Sequence, residues 1–401
     1  PADLPQDVLE EMALIEQQVI ELRELQPNGE ILRILYTSEQ LRERVIEDFF
    51  SDYTPEEAAL DTMVLALFGL IEPETDLLDI YIELYSEGIA GFYDDETGEM
   101  VVVGGAGFGG AEHITYAHEF VHVLQDQTYD FDDGLGYNDE TCEEDSEFCL
   151  ALQALIEGDA SFSEFAWFIN YATEEQTNDL MEFYNDFESP AFDSSPAYLQ
   201  QDLLFPYIYG QEFVSYLYDR GGWISVDSAY SNPPVSTEQI LHPERYPNDV
   251  PVSVILPDLL PVLGFDWELL EEDTLGEWFT FLILAHGIDG NARLSEFRAQ
   301  DAAEGWGGDA YAVYQDSQTK DFVLVVQHVW DSVQDANEYA ALFQEYAIAR
   351  FGNPVLVGSS QVTWLAADGF HVLYFDGELT TWIFATDEET ATAVWDAVQS
   401  P

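Results

Sequence analysis

Residues 5–25 place their apolar side chains three and four apart, the spacing of one helix face. Ser38 with Gln40, followed by a Leu-Arg pattern, opens a second helix. Thr54-Pro55-Glu56-Glu57 reads as an N-cap with proline in the first turn, and the helix it starts runs to about Phe68, where Gly69 ends it. A further helix covers about 75–86. The period then changes. Residues 89–93 and 99–103 read as two strands, and the Asp94–Gly98 segment between them is turn chemistry, so a β-hairpin is expected. A glycine-rich stretch, 104–110, precedes a helix at about 112–127. An acidic loop, 128–147, leads to a helix at about 148–170. Helical patterns continue over 176–186 and 197–219 and stop at Gly221-Gly222. Ser236-Thr237-Glu238-Gln239 fits a capping box, and Pro243 closes the short helix it opens.

A proline-rich connection at 247–261 marks a domain boundary, and the texture beyond it differs. Helices are expected at 272–286 and near 293–303. Strands follow at Tyr311–Tyr314 and Phe322–Trp330, then a helix at Val333–Phe351. Four more strands, at 355–359, 361–366, 370–375 and 380–385, precede a last helix at Glu388–Gln399. The fold class is therefore α+β. Residues 1–250 form a mainly helical domain, all-helical over 1–86, with a small hairpin. Residues 251–401 form an α+β domain with a mostly antiparallel sheet. Trp306 and its neighbouring glycines read as a turn against the core.

Charge sharpens this picture. The chain of 401 residues carries 80 acidic and 10 basic side chains, a formal charge of −70. Self-repulsion of that size destabilises a compact state at low ionic strength, and salt relieves it. The composition points to a halophilic protein or one from an acidic medium. It argues against nucleic acid and against anionic membrane surfaces, both of which are bound by Lys and Arg. No apolar run reaches the roughly 18 residues of a spanning helix. The two cysteines, Cys142 and Cys149, lie close together in the acidic loop. They suggest one local disulfide and an oxidising compartment, hence a secreted or cell-surface protein whose signal segment lies outside this numbering. No partner Cys or His marks either as a zinc ligand.

Chemistry concentrates in Ala117-His118-Glu119-Phe120-Val121-His122, an H-E-x-x-H segment on an expected helix. Residues four apart share a face, so two imidazoles can bind one ion, while the Glu between them reaches a water beside it. The plainer alternative is two histidines on a core helix. A catalytic zinc needs a third protein ligand and an open position. Glu157, Asp159, Asp126 and His242 are the candidates. Glu157 suits best, because a carboxylate in the apolar helix 151–160 must find a partner, and Gly158 beside it permits close approach of another chain. Asp126 and Asp159 suit the orientation of a histidine through its other N–H. The edge of Met100–Gly104 offers an extended peptide a strand to pair with. His242, in a loop after a capped helix, is the candidate oxyanion donor, with Tyr207 and Tyr209 as weaker ones. His113, His286, His328 and His371 read as structural. Asp130–Gly134 has oxygens for calcium but reads better as a solvated loop.

The sequence from His118 to His122, with Asp126 four residues on, resembles the zinc helix of the gluzincins, the thermolysin-like metallopeptidases. The fuller set resembles a group of bacterial and archaeal secreted or surface metallopeptidases. Its elements here are Ala90–Asp94, His118–Gln127 ending in Gln-Asp-Gln, Glu157-Gly-Asp-Ala160, Gly221-Gly-Trp223 and Pro234–Tyr246. The resemblance is clear over about 85–250 and weak beyond. It implies a zincin-like domain, Zn2+ held by His118, His122 and Glu157, Glu119 as general base, and a peptide or protein substrate. The chain departs from thermolysin in the longer interval between His122 and Glu157 and in the acidic residue after Glu157, which comes at Asp159. The alternative is a non-catalytic surface or interaction protein with a structural or vestigial zinc site; Glu119 argues against it, since a structural site needs no base there.

Overall fold

The computed structural model describes residues 5–48, 53–87, 91–95, 97–103 and 108–399. The helical part begins with α1 (Gln6–Arg23), β1 (Leu32–Tyr36), α2 (Ser38–Asp48), α3 (Pro55–Phe68) and α4 (Leu77–Glu87). The hairpin is β2 (Gly91–Asp94) and β3 (Glu99–Val103). Then come α5 (Gly110–Tyr129), α6 (Asp139–Glu144), α7 (Ser146–Tyr171), α8 (Glu174–Asp186), α9 (Pro190–Ser194), α10 (Ala197–Gly221), α11 (Trp223–Ser231) and α12 (Thr237–Leu241). The second part holds α13 (Leu260–Leu263), β4 (Trp267–Asp273), α14 (Gly276–Ala285), α15 (Glu296–Ala303), β5 (Trp306–Asp316), β6 (Phe322–Trp330) and α16 (Val333–Phe351). It ends with β7 (Leu356–Val357), β8 (Gln361–Leu365), β9 (Phe370–Asp376), β10 (Leu379–Ala385) and α17 (Glu388–Val398). The architecture is α+β, as the pattern predicts.

Local chemistry explains the boundaries. Thr54 caps α3 through the amide of Glu57, and the Glu57 carboxylate returns to Thr54, so both orphan donors are satisfied. Gly69 then adopts φ 82°, and the last carbonyls of α3, at Leu67 and Phe68, receive the Arg350 guanidinium at 2.9 and 2.6 Å. A residue of the second part thus finishes a helix of the first.

The small sheet has the order β1-β3-β2. The expected free edge at Met100–Gly104 is corrected here: β3 is central, pairing in parallel with β1 and antiparallel with β2. β1 escaped sequence reading because its five residues lie between two helices. The expected Ile89 and Ala90 and most of the glycine-rich stretch lie outside the described residues.

The large sheet runs β4-β5-β6-β10-β9-β8-β7 and is antiparallel throughout. Alternation sorts its faces. Ala312, Val323, Val325, Val372 and Ile383 pack with Ala391 and Val394 of α17. Val313, Leu324, Val326, Leu373 and Trp382 belong to the principal core, with Phe343 and Ala347 of α16. Residues 267–273, partly expected as helix, form β4, and Trp306 is a fully buried strand residue of β5 beside a bulge, not part of a turn. That core continues past residue 250, from Val64 and Phe68 through Phe205, Trp278 and Phe281 to Trp382. The Phe68 and Tyr311 rings meet edge to face at 5.3 Å.

The crossing of α7 and α10 sets the site. A Cβ on Gly158 would meet the Gly210 backbone at 2.2 Å, and one on Gly210 would meet the Ala154 carbonyl oxygen at 2.1 Å. Only glycine fits at both, so the helix backbones touch, as Gly158 suggests from sequence. α10 passes through Pro206 without a break.

Candidate metal centre

α5 packs through Tyr116, Ala117, Phe120, Val121 and Leu124, all buried, against α1 and α7. That fixes the opposite turn edge, carrying His118 and His122, toward Glu157 of α7. The Nε2 atoms of His118 and His122 are 3.1 Å apart. Glu157 Oε2 lies 3.1 Å from the first and 3.3 Å from the second. Among the described residues, His118, His122 and Glu157 are one of two groups whose ligand atoms converge closely enough for one metal ion. The other, Glu238, Asp249 and Asp331, already faces the Arg245 guanidinium.

The far side of each ring decides what the near side can do. His118 Nδ1 is 2.9 Å from Glu164 Oε2, a carboxylate that can only accept. His122 Nδ1 is 2.8 Å from Gln125 Oε1. The Gln125 amide is oriented unambiguously, because its Nε2 donates to the Ile156 carbonyl at 3.0 Å, Tyr230 Oη at 2.8 Å and Asp159 Oδ2 at 3.2 Å. Both Nδ1 atoms therefore carry the proton and donate outward. Both Nε2 lone pairs then point at each other and at Glu157 Oε2. Three acceptor atoms at such distances need a positive centre between them, a proton or a metal ion. With only protons available, the electrostatics agree. Burial lowers the basicity of both rings, yet contact with Glu157 outweighs it and raises both. Burial alone would raise Glu157; the two imidazoles hold it well below the usual carboxylate range.

Glu119 projects to the side of this cluster. Its Oε2 accepts from the Tyr93 amide of β2 at 2.9 Å. Burial raises its pKa, partly offset by the two imidazoles. Among the described strands β2 is an outer one of its sheet, and its Tyr93 amide is the one that holds Glu119.

The expected orienting acids sit otherwise. Asp126 accepts from Tyr93 Oη at 2.7 Å and the Phe131 amide at 3.2 Å, fastening β2 to α5 and touching neither histidine. Asp159 is fully buried against Arg23, with Nε–Oδ1 at 2.8 Å, and reaches His122 only through Gln125. The direct partners are Gln125 and Glu164. Both were readable as spacings: Gln125 is one turn beyond His122, and Glu164 two turns beyond Glu157, the same face of α7.

His242 lies apart from the cluster. Its Nε2 is 2.9 Å from Glu277 Oε1, and the charges that act on it are Glu277, Arg245 and Glu304. The α12 end that carries it packs onto α14 rather than α5, which is why proximity in chain order to Tyr246 says nothing about the metal group. Tyr207 lies nearer the cluster than His242 does. Its ring centroid is 6.2 Å from that of His118. Burial first, then Glu157 and Glu119, push its hydroxyl pKa well up, so it stays a donor. Tyr209 packs on Phe205 and Trp278. Cys142 and Cys149 form the expected disulfide, joining α6 to the first turn of α7. Asp130 and Asp132 cap local turns.

Comparison with known families reaches only the second part of the chain. A family model described as a domain of unknown function (DUF8575) matches residues 267–395, from the start of β4 into α17. No curated protein and no solved structure matches.

Proposed function

We propose that this chain is a zinc-dependent peptidase whose metal is held by His118, His122 and Glu157. The observation that carries the reading is the convergence of three acceptor atoms, with both imidazole Nδ1–H groups committed outward to Glu164 and Gln125. Two nitrogens and one carboxylate oxygen suit zinc, and three protein ligands leave a position for water. When bound there, zinc supplies Lewis-acid chemistry, acidifying water and polarising a carbonyl.

The chain's own residues complete the set. Glu119 stands beside the cluster without belonging to it, and burial raises its pKa in the direction that makes a carboxylate a better proton acceptor. It takes the proton of the attacking water and passes it to the leaving amine. The Tyr207 hydroxyl, kept protonated by its acidic neighbours, donates to the oxygen on which negative charge develops. The outer edge of β2 pairs with an extended substrate and so presents its carbonyl next to Glu119. A structural zinc site needs no base or hydroxyl donor beside it, so on that reading Glu119 serves only to hold the Tyr93 amide. A secreted or surface location, suggested by the disulfide, accords with this reading.

The test is Glu119→Gln in a peptide-library cleavage assay. The expected variant binds zinc as the parent does and loses cleavage by about two to four orders of magnitude. A Glu119→Gln protein that cleaves like the parent, or a zinc-loaded parent that cleaves nothing in the library, would overturn the enzyme and leave the non-catalytic interaction protein.

A further inference from the structure

A cavity of about 380 Å³ lies where α3, α4, α7 and α10 meet β4, β5 and α14. Its walls are of two kinds. Asp61, Glu147, Asp202 and Glu271 present carboxylates, of which Glu147 is taken up by the Thr237 amide and hydroxyl, and Phe68, Tyr81, Tyr198 and Tyr311 present rings. Among the described residues, no Arg, Lys or His lines it. Other deeply placed acids are answered by a cation or by several donors at once: Asp159 has Arg23, Glu238 has Arg245, Asp309 accepts from two amides and Trp306 Nε1, and Glu147 from the Thr237 amide and hydroxyl. Asp61 and Asp202 have only neutral donors here. Asp61 accepts from the Tyr53 hydroxyl, and Asp202 from Trp278 Nε1 at 2.9 Å. Burial pushes Asp202 up to about 6. Burial, with Asp61 and Asp273 nearby, pushes Glu271 up to about 7. A second observation points into the same space. Tyr198 is 2% exposed, and its hydroxyl, close to that of Tyr81, makes no complete hydrogen bond.

The missing partner is a cation, and the walls say which kind. These carboxylates do not converge as a metal group among the described residues, so a bare divalent ion would leave most of the space unfilled. Ring faces attract organic cations electrostatically, and apolar walls exclude water from their alkyl bodies. We infer that this cavity binds an alkylammonium group, its charge held by Asp61, Asp202 and Glu271 and its stem by the rings of Phe68, Tyr81, Tyr198 and Tyr311. The Tyr198 hydroxyl accepts one ammonium proton.

Two sources share this chemistry, a free amine and the lysine side chain of a peptide. The second rests on the peptidase reading, and the layout permits it. Asp202 precedes Tyr207 by five residues on α10, Leu150 at the cavity precedes Glu157 by seven on α7, and Tyr85 of α4 feels both Asp202 and Glu157. The cavity therefore lies about two helical turns, roughly 10 Å, along α7 from Glu157.

The experiment is calorimetric titration of n-hexylammonium into the full chain in concentrated NaCl, with n-hexanol as the neutral probe. Binding needs no catalysis, so a failure here is separable from failure of the peptidase reading, and a run with chelator present checks that independence. The expected result is one saturable site for the ammonium, much weaker uptake of the alcohol, and at least tenfold weaker binding in Asp202→Asn, which keeps an acceptor for Trp278. Tyr198→Phe, which removes one oxygen and nothing else, weakens it as well and serves if the first variant fails to fold. No saturable binding, equal binding of hexanol, or full affinity in both variants would overturn the inference, the last by showing that the surface charge alone gathers the amine. Competition by Nα-acetyl-lysine amide assigns the site to a peptide side chain; its absence assigns it to free amines.

Discussion

Glu157 and Asp159 stand two residues apart on α7, about 200° around the helix from each other, and meet opposite company. Asp159 is fully buried and fully answered. Arg23 lies at 2.8 Å, Tyr230 Oη donates at 2.9 Å, and the Arg23 guanidinium lies over the Trp223 ring and pairs with Asp227. Glu157 faces two imidazoles whose protons point away, so what it faces is lone pairs. Asp159 is thus satisfied as a carboxylate, although buried Arg23 Nη1 has no hydrogen-bond partner among the described residues. A carboxylate with two outward-tethered histidines calls for a positive centre between them, a proton or, on the reading proposed above, a metal ion. Gln125 links the two, one end on His122 and the other on Asp159. The Asp159 side thereby holds the Glu157 side in shape.

The largest expected effect breaks the Asp159 side. Arg23→Ala leaves Asp159 charged, buried and without its cation, which costs about 3–5 kcal/mol. Denaturant unfolding should show that loss, while the folded fraction still takes up zinc at the parent's stoichiometry. A variant as stable as the parent would show that Asp159 does not depend on Arg23.

The next effects sharpen the link between the two sides. Glu164→Leu and Gln125→Leu each remove an acceptor that fixes an imidazole Nδ1–H. Each should weaken zinc binding about 10–100-fold in a competitive chelator titration, with the metal group otherwise intact. Unchanged affinity in both would mean that the rings are oriented by packing alone.

The smallest effect concerns acids outside both sides. Glu271 has its pKa raised to about 7 in the folded chain, by burial and by Asp61 and Asp273. An acid with a raised folded pKa contributes its stability below its unfolded value, near 4, and loses it as pH rises through about 7. Glu271→Gln should therefore match the parent near pH 4 and melt about 1–2 °C higher near pH 8, a small gain because the group is half exposed and screened. A variant that melts lower than the parent at pH 8 would contradict this.

Much of this was legible beforehand, for identifiable reasons. α3, α5, α7 and α16 carry long periodic patterns and explicit caps, so their limits follow from local chemistry. His118, Glu119 and His122 are separated by helix geometry alone, and Glu157 betrays itself as a lone acid in an apolar helix. β1, β4 and α11 were not legible, being short segments that only their neighbours in space select. The position of β3 between two strands depends on β1, so the edge was misplaced with it. Asp159 and His242 were misjudged because their partners, Arg23 and Glu277, lie far away in sequence. Tyr207 reaches the cluster because Gly158 and Gly210 let two helix backbones touch, a contact that no local pattern encodes.

The central claim is that the three acceptors at His118, His122 and Glu157 are a zinc site. It is tested most directly by the metal content of the chain purified in high salt, parent against Glu157→Ala. The account predicts about one zinc per chain in the parent, and loss of that zinc in the variant with the fold retained. A parent that takes up no metal even when zinc is added, or a Glu157→Ala protein that keeps it, would contradict the account.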